Sequence, residues 1–336
     1  MEQLSFSFIV PVYNRPDEIE ELLDSMVQLD FDKAFEIVIV EDGSEQDSES
    51  VIDSFSKQLN IAYYKKENTG PGDSRNYGMK NARGNYFIIL DSDCLLPKHY
   101  LKEVEKQLQK EFVHCFGGPD AAHASFSDIQ KAIDFVMTSF LTTGGIRGNK
   151  RRIDQFQPRS FNMGISKSAF EKTNGFGNIH PGEDPDLTFR IWEKGYKTML
   201  FNRAFVYHKR RIDWKKFHVQ VKKFGLVRPI LNKWHPGTSK LTYWFPTFFC
   251  VGLLLSLVLF LLNVKWPLLV FAAYISLIFM TALMLKKSLK VAFYAICAVF
   301  VQFFGYGYGF LKSTILVNFS GKEPETIFPK LFFKRT

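Results

Sequence analysis

The chain has 336 residues, of which 46% are hydrophobic and 35 are phenylalanine, and it carries a net charge of +9. That length is enough for two ordinary domains. The four cysteines (Cys94, Cys115, Cys250, Cys297) are scattered with no Cys-x-x-Cys pair, so neither a zinc site nor a disulfide framework is suggested.

Apolar residues and charge are both unevenly spread. Up to about residue 240 the pattern is that of a soluble protein, and from Tyr243 to Leu311 it is mostly apolar. Between Lys209 and Lys240 ten Lys and Arg face a single acid, Asp213, so this block alone equals the net charge of the whole chain. A basic block beside an apolar stretch points to anionic lipid headgroups or a phosphorylated lipid. Nucleic acid is ranked below membrane lipid for the same reason. The start, Met1-Glu2-Gln3-Leu4, has no basic n-region and no long apolar h-region, so the first domain is expected to stay in the cytoplasm.

In chain order, Phe6 to Val12 reads as a strand that ends at Pro11-Val12-Tyr13-Asn14-Arg15-Pro16. Ile19, Leu22, Leu23, Met26 and Val27 recur at helical spacing behind a run of acids, which predicts a helix. Glu36 to Val40 is a second strand and ends in Glu41-Asp42-Gly43-Ser44; Asp47 to Leu59 is predicted helical, and Ile61 to Tyr64 is a short strand. The loop Asn68-Thr69-Gly70-Pro71-Gly72 leads to a helix over Ser74 to Ala82. Its glycines do not fit a dinucleotide fingerprint, because the spacing to Gly78 is wrong and the loop does not follow the first strand. Arg75, near a helix start, is placed to meet a diphosphate or, more plainly, to form a surface ion pair. Strands alternating with helices predict a parallel sheet.

Tyr86 to Leu90 is an unbroken apolar run that suits a central strand covered on both faces. It stops at Asp91-Ser92-Asp93, and open α/β sheets bind ligands at the carboxyl ends of their strands. Alternate residues on extended backbone face one way, so Asp91 and Asp93 are expected to converge. Two close carboxylates repel, and a hard divalent cation relieves that repulsion. A polar turn after a buried strand is the plain alternative.

The stretch from Cys115 to Gly148 gives no clear pattern; Gly144-Gly145, Gly148 and Lys150-Arg151-Arg152 suggest a mobile basic loop. Phe161 to Ile165 precedes a helix from Lys167, and Asn174-Gly175-Phe176-Gly177 a loop. Gly182-Glu183-Asp184-Pro185-Asp186 packs three carboxylates ahead of Leu187, Ile191 and Trp192 at helical spacing. Asp184 and Asp186 therefore read either as capping acids or, for the rim of a site, as a general base. Phe201 to His208 is predicted to be a last strand; the lone His208 at its end reads as an ordinary packed or surface residue or, alternatively, as one that completes a metal site, since Mn²⁺ takes imidazole as well as carboxylate.

Trp214, Phe217, Val221 and Phe224 form one helical stripe flanked by Lys215, Lys216, Lys222 and Lys223. The stripe reads as an interfacial helix, or as an ordinary amphipathic helix packed on the first domain. Trp234-His235-Pro236-Gly237 breaks it. Three apolar stretches follow, Trp244 to Leu262, Trp266 to Leu285 and Val291 to Leu311, each near the ~20 residues that span a bilayer. Asn263-Val264-Lys265 joins the first two as a hairpin, and the basic Lys286-Lys287-Ser288-Leu289-Lys290 is expected on the cytoplasmic side. Gly305-Tyr306-Gly307-Tyr308-Gly309 weakens the third stretch as a simple span and leaves a re-entrant or interfacial segment open. Three full spans would put the basic tail outside.

Six pieces together resemble the family 2 glycosyltransferases of the GT-A fold: Phe8-Ile9-Val10-Pro11-Val12-Tyr13-Asn14, Ile39-Val40-Glu41-Asp42-Gly43-Ser44, Asn68-Thr69-Gly70-Pro71-Gly72-Asp73-Ser74-Arg75-Asn76, Leu90-Asp91-Ser92-Asp93, Asn174-Gly175-Phe176 and Gly182-Glu183-Asp184. They stand in family order and cover roughly residues 5–210. The resemblance implies an α/β, Rossmann-like, mostly parallel catalytic domain over 1–230. A basic linker (231–242), a membrane region of two or three transmembrane helices (243–312) and a tail (313–336) that is basic and faces the cytoplasm or is undefined would follow. It implies transfer of a sugar, with inversion, from a nucleotide-diphosphate donor, a UDP-sugar being favoured. Pro11, Tyr13, Asp42 and Arg75 would bind the nucleotide sugar with Asp91. Asp91, Asp93 and His208 would hold Mn²⁺ or Mg²⁺, and Asp184 would be the catalytic base. Glu41 stands where the family often has Asp. No Gln-x-x-Arg-Trp of the processive members is present, which argues against a polymerising synthase. The expected acceptor is a glycan or lipid-linked saccharide at the cytoplasmic face of the inner membrane, in envelope polysaccharide synthesis. A non-catalytic module that binds nucleotide sugar or scaffolds a membrane complex is the alternative, and the retained carboxylates at 91, 93 and 184 argue against it.

Overall fold

A computed structural model of the chain describes residues 3–121, 126–144, 156–208 and 213–333. Gly145, Gly148 and Lys150 to Arg152 of the expected basic loop lie outside the described residues, as do Lys209 to Arg211 of the basic block. In chain order the elements are β1 (Phe6–Val12), α1 (Pro16–Val27), β2 (Glu36–Asp42), α2 (Glu49–Phe55), β3 (Ile61–Lys66), α3 (Pro71–Asn81), β4 (Tyr86–Leu90), β5 (Cys94–Leu95), α4 (Tyr100–Lys110), β6 (Cys115–Gly117) and β7 (Asp120–Ala121). They continue with α5 (Asp128–Thr138), α6 (Phe140–Thr143), β8 (Asn162–Ser166), α7 (Lys167–Thr173), α8 (Glu183–Glu193), β9 (Thr198–Leu200), β10 (Val206–His208), α9 (Trp214–Trp234), α10 (Phe245–Leu261), α11 (Trp266–Lys286), α12 (Leu289–Phe319) and α13 (Pro324–Ile327). These form two compact units, one drawn from 1–123, 151–209 and 332–336, the other from 124–150 and 210–331.

The first unit is built on a seven-stranded sheet of order β3-β2-β1-β4-β8-β6-β9. β1 to β4 are mutually parallel, β8 is antiparallel to both its neighbours, and β9 is parallel to β6. The alternation of side chains along the central strands explains why both faces are apolar. Tyr86, Ile88 and Leu90 of β4 pack with Ile19 and Leu22 of α1 and Tyr100 and Val104 of α4. Phe87 and Ile89 face the other way, onto Met79 of α3, Phe170 of α7 and Leu187 of α8. Each large side chain buried in this way contributes about 1.5–3 kcal/mol over its exposed state. A small sheet, β5-β10-β7, sits beside the carboxyl end of β4.

Several elements depart from the sequence reading for identifiable reasons. α3 starts at Pro71 rather than Ser74, because proline at a first helical position is preorganised and Gly70 supplies the required positive φ of 93°. α2 is shorter than Asp47 to Leu59. The strand expected over Phe201 to His208 is confined to β10 at its end: β9 ends before it at Leu200, and a turn closed by Ala204 N–H to Phe201 O intervenes. The stretch with no clear pattern holds β6, β7, α5 and α6.

In the second unit α5, α9, α10, α11 and α12 share one apolar core. Phe217 and Val221 of the α9 stripe are buried in it. α9 continues to Trp234 with Pro229 inside it. The third apolar stretch is one continuous helix of 31 residues, and its glycine run does not interrupt it. Those glycines are contact points: a Cβ on Gly305 would lie 2.8 Å from Val221, and one on Gly307 2.9 Å from the Pro246 carbonyl. A Cβ on Gly225 would run into the backbone of Tyr306. Small residues let the α9 and α12 backbones approach closely.

Candidate active site

The carboxyl ends of β1, β2, β3 and β4 lie along one edge of the large sheet, so the loops that follow them are neighbours. Asn14, with φ 54°, ties the first of these loops to the second. Its side-chain oxygen accepts from Glu45 and Gln46 N–H at 2.8 and 3.0 Å, and its own N–H donates to Ser44 Oγ at 2.7 Å. Pro11 is half-buried on β1 and Tyr13 stands 51% exposed at its end. Glu41 is buried and braces the β2 loop, accepting from Ser48 N–H and Tyr63 OH at 3.1 Å each and from Ser44 Oγ. The longer acid therefore has a local structural task. Asp42 spends both oxygens on the turn before α3: Thr69 N–H donates at 3.0 Å and Gly70 N–H at 2.9 Å, while Lys66 Nζ sits at 2.6 Å. Asp42 thus shapes the turn expected to receive a nucleoside.

Arg75, buried in the first turns of α3, joins the two acidic motifs. Its Nη2 donates to Asp91 Oδ1 at 2.8 Å and its Nη1 to Glu183 Oε1 at 3.4 Å. Burial works against its charge, yet Asp91, Glu183 and Asp184 together raise its pKa further. Glu183 is buried as well, which by itself would raise its carboxyl. His180, with Nδ1 at 2.9 Å, and Arg75 outweigh that and hold it down to about 2. Asp184 behaves oppositely. Burial and the adjacent Glu183 carboxylate push it up to about 6, against smaller opposing effects of Arg75, Arg159 and Ser160. Its Oδ1 is out of solvent contact with no hydrogen-bond partner. Two neighbouring carboxyls pushed in opposite directions are a signature of divided acid and base roles. The loop that carries them is fixed to α3 by Asn76, which donates to Phe176 O at 2.8 Å and accepts from Phe176 N–H at 2.7 Å.

Asp93 has other partners, His208 and Arg15. β10 pairs with β5 so that His208 lies opposite Cys94, which brings His208 Nε2 to 3.0 Å from Asp93 Oδ1. Phe161 stacks on the imidazole at 5.0 Å and fixes its plane. Burial opposes ionisation of Asp93, but His208 and Arg15 outweigh it and keep its carboxyl below the usual range. Asp93, Cys94 and His208 form a group with ligand atoms within 4.8 Å of one another. Burial pushes the Cys94 thiol well above its ordinary pKa, and its Sγ donates to Phe161 O at 3.4 Å. A metal binds thiolate rather than thiol, so the oxygen and imidazole donors remain, a set that suits Mn²⁺.

Of the expected residues, Arg75 and Asp91 are in direct contact, Asp184 lies beside Glu183 and within the field of Arg75, and Asp93 meets His208. Asp91 does not join the Asp93–His208 group, because Arg75 holds it. Glu183, His180, Lys66 and Asn14 also belong to the site. Glu183 and Asn14 stood inside motifs, whereas nothing local marked Lys66 or His180.

Residues 7–173 match the sequence model described as Glycosyl transferase family 2. The chain carries a family 2 glycosyltransferase domain. Relatives agree: an uncharacterized glycosyltransferase of Rickettsia felis is 35% identical over 245 residues, 70% of this chain and 39% of that protein. The poly(ribitol-phosphate) beta-N-acetylglucosaminyltransferase TarS of Staphylococcus aureus is 37% identical over 103 residues, 30% of this chain and 18% of that protein. The glycosyltransferase chain thus spans well under half the length of the curated relatives it matches. Among solved structures, the mannosyltransferase PcManGT from Pyrobaculum calidifontis, in complex with GDP-Man and Mn²⁺, superposes with a TM-score of 0.57 at 15% identity, over 96% of this chain and 89% of that one. Residues 1–349 of S. aureus TarS give 0.52 at 16% identity, over 92% and 91%. The architecture is therefore GT-A, followed by a helical region with three apolar helices.

Proposed function

We propose that this glycosyltransferase is a membrane-anchored, metal-dependent, inverting enzyme. It moves one sugar from a nucleotide-diphosphate sugar, a UDP-sugar foremost, to an acceptor hydroxyl. The acceptor we propose is a lipid-linked saccharide at the cytoplasmic face of the inner membrane, in envelope polysaccharide synthesis. The observation that carries the reading is Asp184: a carboxylate poised at about 6, with one buried oxygen left without a partner, linked through Arg75 to the acidic end of β4. That neighbours hold GDP-Man, or UDP-GlcNAc in the TarS structure with a TM-score of 0.50, supports a nucleotide-sugar donor here.

In the reaction the acceptor oxygen attacks the anomeric carbon as Asp184 takes its proton. The bond from that carbon to the diphosphate oxygen breaks, and the electron pair leaves with the nucleoside diphosphate. One displacement from the opposite face inverts the centre. Arg75, fixed by Asp91 and Glu183, places positive charge beside the departing phosphates. Asp93 and His208 would hold the cation, while Asp91, paired with Arg75, stands beside the departing phosphates. Mn²⁺ or Mg²⁺ bound there supplies charge neutralisation for the leaving diphosphate. Three helices long and apolar enough to cross a membrane, Leu241–Leu261, Trp266–Lys286 and Leu289–Phe319, support the anchor.

The test is hydrolysis and transfer by the detergent-purified chain with a panel of UDP- and GDP-sugars, with Mn²⁺, Mg²⁺ or EDTA. Wild type should release one nucleotide in a metal-dependent way, and Asp93→Ala and Asp184→Asn should each lose about 10²-fold or more. Binding without turnover, even with membrane extract as acceptor source, would replace this reading with a nucleotide-sugar-binding module. If activity on a lipid acceptor survived removal of the apolar helices unchanged, the lipid-linked acceptor would be wrong.

A further inference from the structure

The chain leaves the first unit at residue 209 and rejoins it at 332. Phe332 forms an antiparallel bridge with the buried Ile179. Phe333 N–H donates to Asn178 O at 3.0 Å, and Asn178 Nδ2 donates back to Phe333 O at 3.5 Å. The Phe333 ring lies on Gly70, where any Cβ would run into its Cγ, Cδ1 and Cδ2 atoms. Its centroid is 5.9 Å from that of His180.

Two loops of the site therefore meet one side chain from the far end of the sequence. Gly70 caps α3 and belongs to the turn whose N–H groups Asp42 holds. Asn178 to His180 leads into Glu183 and Asp184. Short loops with few buried contacts of their own open readily, and a ligand that must order them binds more weakly. The absence of a side chain on Gly70 is what lets an aromatic ring lie flat on the turn. A cap of this kind lowers the ordering cost without touching the reacting atoms.

We propose that Phe333 is a positioning residue for the donor: it holds the 68–70 turn and the 178–183 loop in the form that receives a nucleoside diphosphate. This rests on the function proposed above. The experiment uses the full-length protein in detergent and compares wild type, Phe333→Ala and Phe333→Leu. UDP and GDP binding with Mn²⁺, donor KM against kcat, and backbone hydrogen exchange are measured. Phe333→Ala should weaken nucleotide binding and raise donor KM about tenfold, the scale of truncating a packed aromatic side chain, with kcat within about twofold. Exchange should quicken at 69–75 and 178–183 while β4 stays protected, and Phe333→Leu should recover most of the loss. Unchanged nucleotide affinity and unchanged exchange at 69–75 would overturn the proposal. So would a uniform loss of protection across the whole unit, since that marks a purely structural role. If wild type neither binds UDP or GDP nor turns over any donor, the function proposed above fails instead. The exchange comparison would then still decide whether Phe333 orders the turn.

Discussion

If Asp184 is the base, as proposed, it must be deprotonated; burial and the adjacent Glu183 hold its carboxyl up at about 6, so activity should climb as pH rises through about 6 and flatten above it. The neighbouring Glu183 carboxylate is part of that elevation. Glu183→Gln removes it, and the acid limb of the pH–rate profile should move to lower pH even though Arg75 loses a partner. A limb that stays near 6 would mean that Glu183 does not tune the base. Glu183 is shifted the other way from Asp184, and its shift bears on stability. Its folded pKa lies below its ordinary value, so its contribution is present above about 4.5 and is lost as pH falls towards 2; acid unfolding of wild type should therefore steepen in that window. The carboxylates themselves could be read from the sequence because they stand where buried strands or loops end. Their partners could not. Arg75 meets Glu183 across 108 positions, and His180 and Lys66 look like any other polar residues until the chain is folded.

The elements that could be read were those with a strong period or a hard stop. Tyr86 to Leu90 runs as predicted because five apolar residues stop at two acids. Phe201 to His208 misled because Phe201 and the run Phe205-Val206-Tyr207 are strand formers, while Asn202 to Ala204 between them turns the chain from one sheet to another. The glycines at 305, 307 and 309 looked like helix breakers, since propensity penalises them singly. In the structure each faces another backbone or side chain closely enough that a larger residue would not fit. The seam predicts that Gly225→Leu, on the α9 side, lowers stability by about 1–3 kcal/mol or more through overpacking, whereas Val219→Ala, at an exposed site on the same helix, leaves it within about 0.5 kcal/mol. Thermal unfolding in detergent compares the two, and equal melting temperatures would show that the helices do not pack as described.

At the scale of the molecule the apolar helices present much of their surface outward. Leu254, Leu255, Leu261, Leu269, Val270 and Met284 are among the exposed residues of α10 and α11. A water-facing surface of that kind aggregates, so the protein should sediment with membranes and stay there through alkaline carbonate washing. Release into the soluble fraction would remove the anchor from the proposal. This division into a polar and an apolar half was legible from composition alone. What composition could not give is where the end of the chain goes. Because Phe332 pairs with Ile179, the polypeptide departs from and returns to the same folded body, and a closed sheet of lipid can be crossed on such a circuit only an even number of times. On the anchor proposed above, three complete crossings would leave Phe332 on the far side from Ile179. α10 and α11, joined by a tight turn, form the natural pair. α12, about 46 Å long at 1.5 Å per residue and the most covered of the three apolar helices, would on that anchor enter and leave on one side or lie along it. Labelling single cysteines at Val264 and Lys322 from either side of sealed vesicles reads this parity directly: opposite sides for the two positions, with Lys322 on the side of the glycosyltransferase domain.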